Sequence, residues 1–108
     1  MTTNEPEIAQ LANKAADVID KHGWTRGEFG DELSGFCIMG AFRHSADIQT
    51  DEGIIVYSRA SAEFQTWLIS MTGRTIANWN DHICQDGAEA ILHLRKFADE
   101  VDPQAVPE

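Results

Sequence analysis

Residues 76–87 (IANWNDHICQDG) concentrate the side chains of this sequence that could do chemistry. Asp81, His82 and Cys84 are possible metal ligands within this segment. The chain has three further histidines that could join from elsewhere, His22, His44 and His93. Zinc sites usually show two ligand pairs at a fixed short spacing, such as CxxC or HExxH, and His82 with Cys84 forms one loose pair without a second. We therefore expect no metal ion and no cofactor.

The two cysteines are the possible nucleophiles. Cys37 falls on the apolar stripe of a predicted helix, where a thiol behaves as a small hydrophobic group. Cys84 lies close to Asp86, the predicted N-cap of the last helix, where the helix dipole lowers a thiol pKa. Cys84 is therefore expected to be the more reactive thiol if it is exposed. Neither cysteine has the flanking signature of a cysteine hydrolase, so we assign no catalytic residue.

A structural interpretation of the same segment is stronger than a chemical one. Trp79 is large and apolar, and we expect it to be buried against a helix. Asn80 and Asp81 favour turns because their side chains bond to nearby backbone amides. The segment is thus predicted to be a joint first and a binding site second. If it does form a site, the binding residues would be Trp79, Asn80, Asp81, His82, Arg43 and His44.

The charge of the chain narrows the classes of partner. The 108 residues carry a formal net charge of −10, from 8 basic and 18 acidic side chains. Such a chain repels phosphate backbones and anionic membranes, so we expect neither direct nucleic-acid binding nor membrane association. The N-terminus shows no secretory signal and no apolar run could span a bilayer, so we expect a cytoplasmic protein.

Hydrophobic periodicity predicts a single all-α domain, a compact bundle of about four helices with short irregular connectors. The first helix starts near a cap at Asn4 and stops at Gly23, and the second runs from about Leu33 to Ala46 and is central. Gly40 in this second helix is expected to permit close contact with a neighbour.

The rest of the chain is assigned from caps and composition. Residues 54–57 (IIVY) are interpreted as an extended buried connector, or as the lead-in to a third helix capped by Ser58. Asp86 caps the last helix. Trp24 and Phe29 are expected to fold back onto the core. The ordered core is placed at about 5–102, with a flexible tail at 103–108.

In four segments the chain resembles a family of small uncharacterised proteins found in actinobacteria and their phages. The family is marked by a Trp-Asn-Asp tripeptide. These segments are KHGWTRGEF, FCIMGAFRHSA, NWND and AEAILHLRKFADE. The matching positions are Trp24, Gly27, Cys37, Gly40, Ala41, Trp79, Asn80 and Asp81. The resemblance implies a last helix rich in basic residues. This chain departs from that pattern, because Arg95 and Lys96 are the only arginine and lysine in its last helix. The resemblance implies lineage and carries no activity over to this chain.

Two functions remain open at this point. The first is a non-enzymatic protein-interaction module, such as a phage accessory protein that binds a host protein, and a homodimer is compatible with it. The second is a small enzyme or ligand-binding domain, in which Asn80, Asp81, His82, His44 and Arg43 converge on one polar pocket. Mimicry of nucleic acid is a minor third hypothesis, which the uneven distribution of the acids disfavours.

Overall fold

Helices joined by short connectors make up nearly the whole fold. A computed structural model describes residues 5–103 of the chain. In chain order the elements are α1 (Glu5–His22), β1 (Gly30–Asp31), β2 (Gly35–Phe36), α2 (Ile38–Ser45), α3 (Asp51–Thr72), α4 (Ile76–Asn78), a π-helical turn (Trp79–Ile83) and α5 (Gly87–Val101). The predicted all-α class is confirmed. The predicted cap Asn4 and positions 104–108 of the predicted tail lie outside the described residues.

Helix α1 occupies the centre of the core and contacts α2, α3 and α5. Its buried residues are Ile8, Ala9, Leu11, Ala12, Ala15, Ala16 and Ile19. The alanines on this face let the neighbouring helices approach closely. The prediction that the second helix is central is wrong, because α2 has only eight residues and packs mainly on α1.

A β-hairpin precedes α2 where the sequence predicted the first turns of that helix. β1 and β2 pair antiparallel, with Gly30 opposite Phe36. The Asp31 carboxylate closes the connecting turn by accepting hydrogen bonds from the backbone amides of Leu33 and Ser34, at 2.9 and 2.7 Å. The helix begins only at Ile38, after this turn. Cys37 is its N-cap and not part of its apolar stripe.

Helix α3 begins earlier than predicted. Thr50 caps it, its hydroxyl oxygen accepting from the Gly53 amide at 2.9 Å, so Ser58 lies inside the helix. Residues 54–57 are helical, and Ile54 and Ile55 are about half exposed, so the interpretation as an extended buried connector is wrong. The intrinsic strand preference of β-branched residues is weak and yields to a long helix. No helix in the described part of the chain is long and apolar enough to cross a bilayer.

Close backbone contact explains the glycine in the middle of α2. A Cβ atom added at Gly40 would lie 2.0 Å from the carbonyl oxygen of Phe29. The expectation that Gly40 permits close approach is therefore confirmed, and the neighbour is the chain entering the hairpin. The Cys37 amide donates to the same Phe29 carbonyl at 3.2 Å, so the contact is held by a hydrogen bond as well.

The substitution Gly40→Ala should destabilise the fold by about 1–3 kcal/mol, although alanine is the better helix former, because the backbone of Phe29 would have to move. Urea unfolding followed by circular dichroism measures the change. The control Ser58→Ala, at an exposed position of α3, should change stability by less than about 0.5 kcal/mol. Equal or greater stability of Gly40→Ala would show that the contact is not tight in solution.

Candidate functional site

The π-helical turn Trp79–Ile83 builds the polar centre of the molecule. The Cys84 amide donates to the Trp79 carbonyl, five residues earlier, at 2.8 Å. Short π segments inside helices often occur where a chain must place particular side chains. Here the turn buries two consecutive side chains, since Trp79 and Asn80 are each 2% exposed.

The Asn80 carboxamide uses its whole hydrogen-bonding capacity. Its Oδ1 accepts from Trp24 Nε1 at 2.8 Å and from the Ile38 amide at 3.1 Å. Its Nδ2 donates to the Thr25 carbonyl at 3.2 Å and to Asp81 Oδ1 at 2.9 Å. Two acceptor lone pairs and two N–H groups are all that an amide offers. Asn80 therefore ties the loop after α1 and the start of α2 to the π-helical turn.

Asp81 extends this anchor to the next residues of the same loop. Its Oδ1 also accepts from the Gly27 amide at 2.8 Å. The hydrogen bonds from the Asn80 side chain and from the Gly27 amide hold the pKa of Asp81 below its usual value. Beside it, Arg26 donates to the Cys84 carbonyl at 2.7 Å and lies over the Trp24 ring. The carboxylate is thus committed to holding the backbone.

Of the other four predicted binding residues, two lie in the same π-helical turn and two lie on α2. The Trp79 ring packs on His93, with 4.5 Å between ring centroids, and is buried, so it offers no surface to a ligand. His82 is exposed. Arg43 lies over the Phe29 ring at 5.7 Å, and His44 packs on other side chains at the hairpin.

The six predicted binding residues therefore do not converge on one pocket. A cleft of about 330 Å³ is lined by Arg43 and His44, together with Phe29 and Phe36. A separate cleft of about 320 Å³ is lined by Asn80 and Asp81, together with Cys37 and others. The convergence that the pocket hypothesis expected is not found among these residues. In the cleft lined by Asn80 and Asp81, both of these side chains already have backbone partners.

Both thiols are poorly suited to nucleophilic chemistry. Cys84 is fully buried, and its Sγ donates to the Asp86 carbonyl at 3.1 Å. Burial raises the pKa of Cys84 to about 12. The expectation that Cys84 is the more reactive thiol depended on its exposure, and this condition is not met because Cys84 is buried. Burial also raises the pKa of Cys37.

Two features escaped the sequence analysis. Leu33 is 97% exposed at the turn of the hairpin, and Phe29, predicted to cover the core, is 51% exposed. In addition, His22, Glu32 and His44 lie together although they are far apart in the sequence. A signal for the turn exists in Asp31 followed by Ser34, but the same residue types also favour helix starts.

A family model described as a family of unknown function (DUF6197) matches residues 3–100. The chain belongs to this family. The resemblance to a family of uncharacterised proteins, stated from the four segments, is thus confirmed. No curated protein and no solved structure matched the chain. The family match covers both the Asn80 anchor and the hairpin.

The substitution Asn80→Ala should destabilise the protein by roughly 2–4 kcal/mol, because it leaves Trp24 Nε1 and the Ile38 amide without their acceptor. Denaturant unfolding monitored by tryptophan fluorescence measures the loss. The control Asn78→Ala removes an exposed asparagine two positions earlier and should cost less than about 1 kcal/mol. Similar losses in both variants would contradict the role of the buried amide.

Cys84 should resist alkylation in the folded protein. A thiol with a pKa of about 12 is almost wholly protonated at about pH 8, and the thiolate is the reacting form. The variant Cys37→Ser isolates Cys84, and mass spectrometry after iodoacetamide treatment follows the reaction. Labelling should be at least about a hundredfold slower than for the same variant in denaturing guanidinium chloride. Equal rates would show that Cys84 is accessible.

Proposed function

We propose that this protein is a non-enzymatic interaction module that binds a protein partner through its hairpin tip, defined as residues 29–34. One observation carries the proposal: Leu33 is 97% exposed at the end of an ordered turn. An exposed leucine alone is common on protein surfaces. An exposed leucine on a turn whose backbone is fixed by hydrogen bonds offers a partner an apolar side chain in a defined position.

The order of the turn comes from Asp31. Its Oδ1 accepts from the amides of Leu33 and Ser34 and from the Ser34 hydroxyl, the last at 3.0 Å. These bonds hold the pKa of Asp31 below its usual value, so the carboxylate stays ionised to a lower pH than an ordinary aspartate does. Because the backbone is already fixed, a partner that covers Leu33 loses little conformational entropy on binding.

A second apolar side chain widens the contact. Phe29, at the other end of the hairpin tip, is 51% exposed, and the Arg43 guanidinium lies over its ring. Covering a leucine side chain contributes about 1.5–3 kcal/mol, and an aromatic ring adds a comparable amount. Both side chains are thus available for apolar contact with a partner.

Charge indicates the kind of partner. Glu28, Asp31 and Glu32 lie in or next to the hairpin tip, in a chain with a net charge of −10. A partner with basic residues around an apolar pocket would be complementary to this surface, and the attraction would weaken with salt. A nucleic acid would be repelled by the same charges.

The resemblance to proteins of actinobacteria and their phages suggests where the partner is found. We propose an actinobacterial cytoplasm, and, for a phage-encoded chain, a protein of the host. A second copy of the chain is the alternative occupant of the hairpin tip. Sedimentation of the purified protein distinguishes a self-associating chain from one that binds another protein.

The substitution Leu33→Ser should weaken partner binding about tenfold or more, since the leucine supplies a large share of the apolar contact. The partner is first captured from actinobacterial lysate at low salt and identified, and its dissociation constant is then measured with purified components by interferometry. Leu33 is exposed, so the variant should keep its fold and its unfolding midpoint.

Leu92→Ser is the matched control, because Leu92 on α5 is another exposed leucine, at 63% exposure, outside the hairpin tip. Its affinity for the partner should equal that of the unchanged protein. Undiminished binding by Leu33→Ser, or equal weakening by both variants, would contradict the role of the hairpin tip.

A further inference from the structure

Two imidazoles and one carboxylate meet beside the hairpin. His22 is the last residue of α1, Glu32 is in the turn between β1 and β2, and His44 is in the last turn of α2. One ligand atom from each residue lies within 4.8 Å of the other two. His44 Nε2 is 3.6 Å from Glu32 Oε2.

We propose that His22, Glu32 and His44 bind a divalent transition-metal ion of the zinc class. Two neutral imidazole nitrogens and a carboxylate oxygen form a common ligand set for zinc and its neighbours in the periodic table. The inference goes beyond the proposed function, because it needs no protein partner.

The three ligands belong to separate elements whose backbones are tied together. The Phe36 amide donates to the Gly23 carbonyl at 2.9 Å, and the Thr25 amide donates to the Phe36 carbonyl at 3.2 Å. These bonds hold β2 against the end of α1. A Cβ atom added at Gly35 would lie 2.6 Å from the Gly23 carbonyl carbon, so the two segments are in direct contact. The hairpin therefore carries Glu32 to a fixed place beside His22.

The imidazole rings are positioned by packing. The Phe36 ring lies 4.7 Å from the His44 ring and 5.8 Å from the His22 ring, between centroids. The two imidazoles are 6.1 Å apart and nearly perpendicular. Side chains held in this way lose little rotamer freedom when an ion binds.

The helix ends add a field that favours a cation. His22 and His44 both lie in the last turns of their helices. The carbonyl end of a helix carries a partial negative charge, which stabilises a nearby positive ion. Two such ends meet at this cluster. The neighbouring cation Arg43 is directed onto the Phe29 ring, which lies 5.7 Å from its guanidinium carbon.

The spacing requires only a small adjustment. In tetrahedral coordination with bonds of about 2.0–2.1 Å, ligand atoms lie about 3.4 Å apart. The 3.6 Å pair is already close to this, and because no two of the three ligand atoms are more than 4.8 Å apart, the longest separation must shorten by at most about 1.4 Å. The Glu32 side chain is 64% exposed and can move by that amount.

An ordinary ion pair accounts for less of the arrangement. A pair between His44 and Glu32 at 3.6 Å involves only two of the three side chains, and an exposed pair of this kind adds little stability. A metal ion uses all three side chains. Three protein ligands also leave a coordination position for water or for an outside donor, as in open zinc sites.

Titration of the purified full chain with Zn²⁺, followed by calorimetry, tests the proposal. We expect one ion to bind per chain. Addition of Co²⁺ should give visible absorption bands typical of coordinated cobalt, a signature that loosely associated ions do not produce. This assay contains no partner protein, and the binding of the protein partner is measured in the presence of a metal chelator. The metal site and the protein-interaction surface are therefore tested independently of each other.

The variants His44→Gln and Glu32→Gln separate the proposed site from general metal affinity. Each should weaken Zn²⁺ binding about tenfold or more, and His44→Gln should abolish the cobalt bands. Because Glu32 is exposed, Glu32→Gln should not change the unfolding midpoint. Weaker Zn²⁺ binding by this variant therefore cannot be attributed to loss of folding. The control His82→Gln, which removes an exposed histidine outside the cluster, should bind Zn²⁺ as tightly as the unchanged protein.

Absence of saturable Zn²⁺ binding would overturn the proposal. So would binding that Glu32→Gln and His44→Gln leave unchanged, or binding that His82→Gln weakens equally, because each result would place the ion elsewhere.

Discussion

The four hydrogen bonds of the Asn80 carboxamide are the interaction on which the rest of the structure depends. A buried amide must satisfy both its donors and its acceptor, and a lost partner costs about 1–3 kcal/mol. Asn80 meets this demand with groups from the loop after α1, from the first residue of α2 and from its own turn. One side chain therefore determines how three chain segments meet. The hairpin lies between two of those segments and takes its place from them.

Close backbone packing then determines where the hairpin lies on the helices. Gly35 touches the end of α1, and Gly40 touches the carbonyl of Phe29, so the hairpin lies directly on two helices. The turn of this hairpin exposes Leu33 to solvent. The same contact places Glu32 next to the histidines at the helix ends. The interaction surface and the metal-ligand cluster thus have one structural origin.

The helical periodicity of the sequence was sufficient to predict the all-α class, because a helix buried on one side repeats that side in its sequence. The hairpin was mistaken for a helix start, since Asp31 and Ser34 favour both. The partners of Asn80 could not be predicted, since three of them lie 42, 55 and 56 residues away and nothing local distinguishes them. The meeting of His22 with His44 depends on the same long-range contacts. Whether Cys84 is exposed could not be predicted, because burial is a property of the folded chain.

The π-helical turn limits which insertions and deletions the fold can tolerate during evolution. In the segment Trp79–Ile83 the backbone hydrogen bond spans five residues, one more than in an α-helix. Deleting one residue after Asn80 in this segment should restore an ordinary helix and rotate the part that precedes the deletion by about 100° relative to the part that follows it. Asn80 would then turn away from Trp24 and face another part of the molecule. Lineages that keep this fold should thus tolerate many exchanges of residue type nearby, yet scarcely any change in the length of this segment.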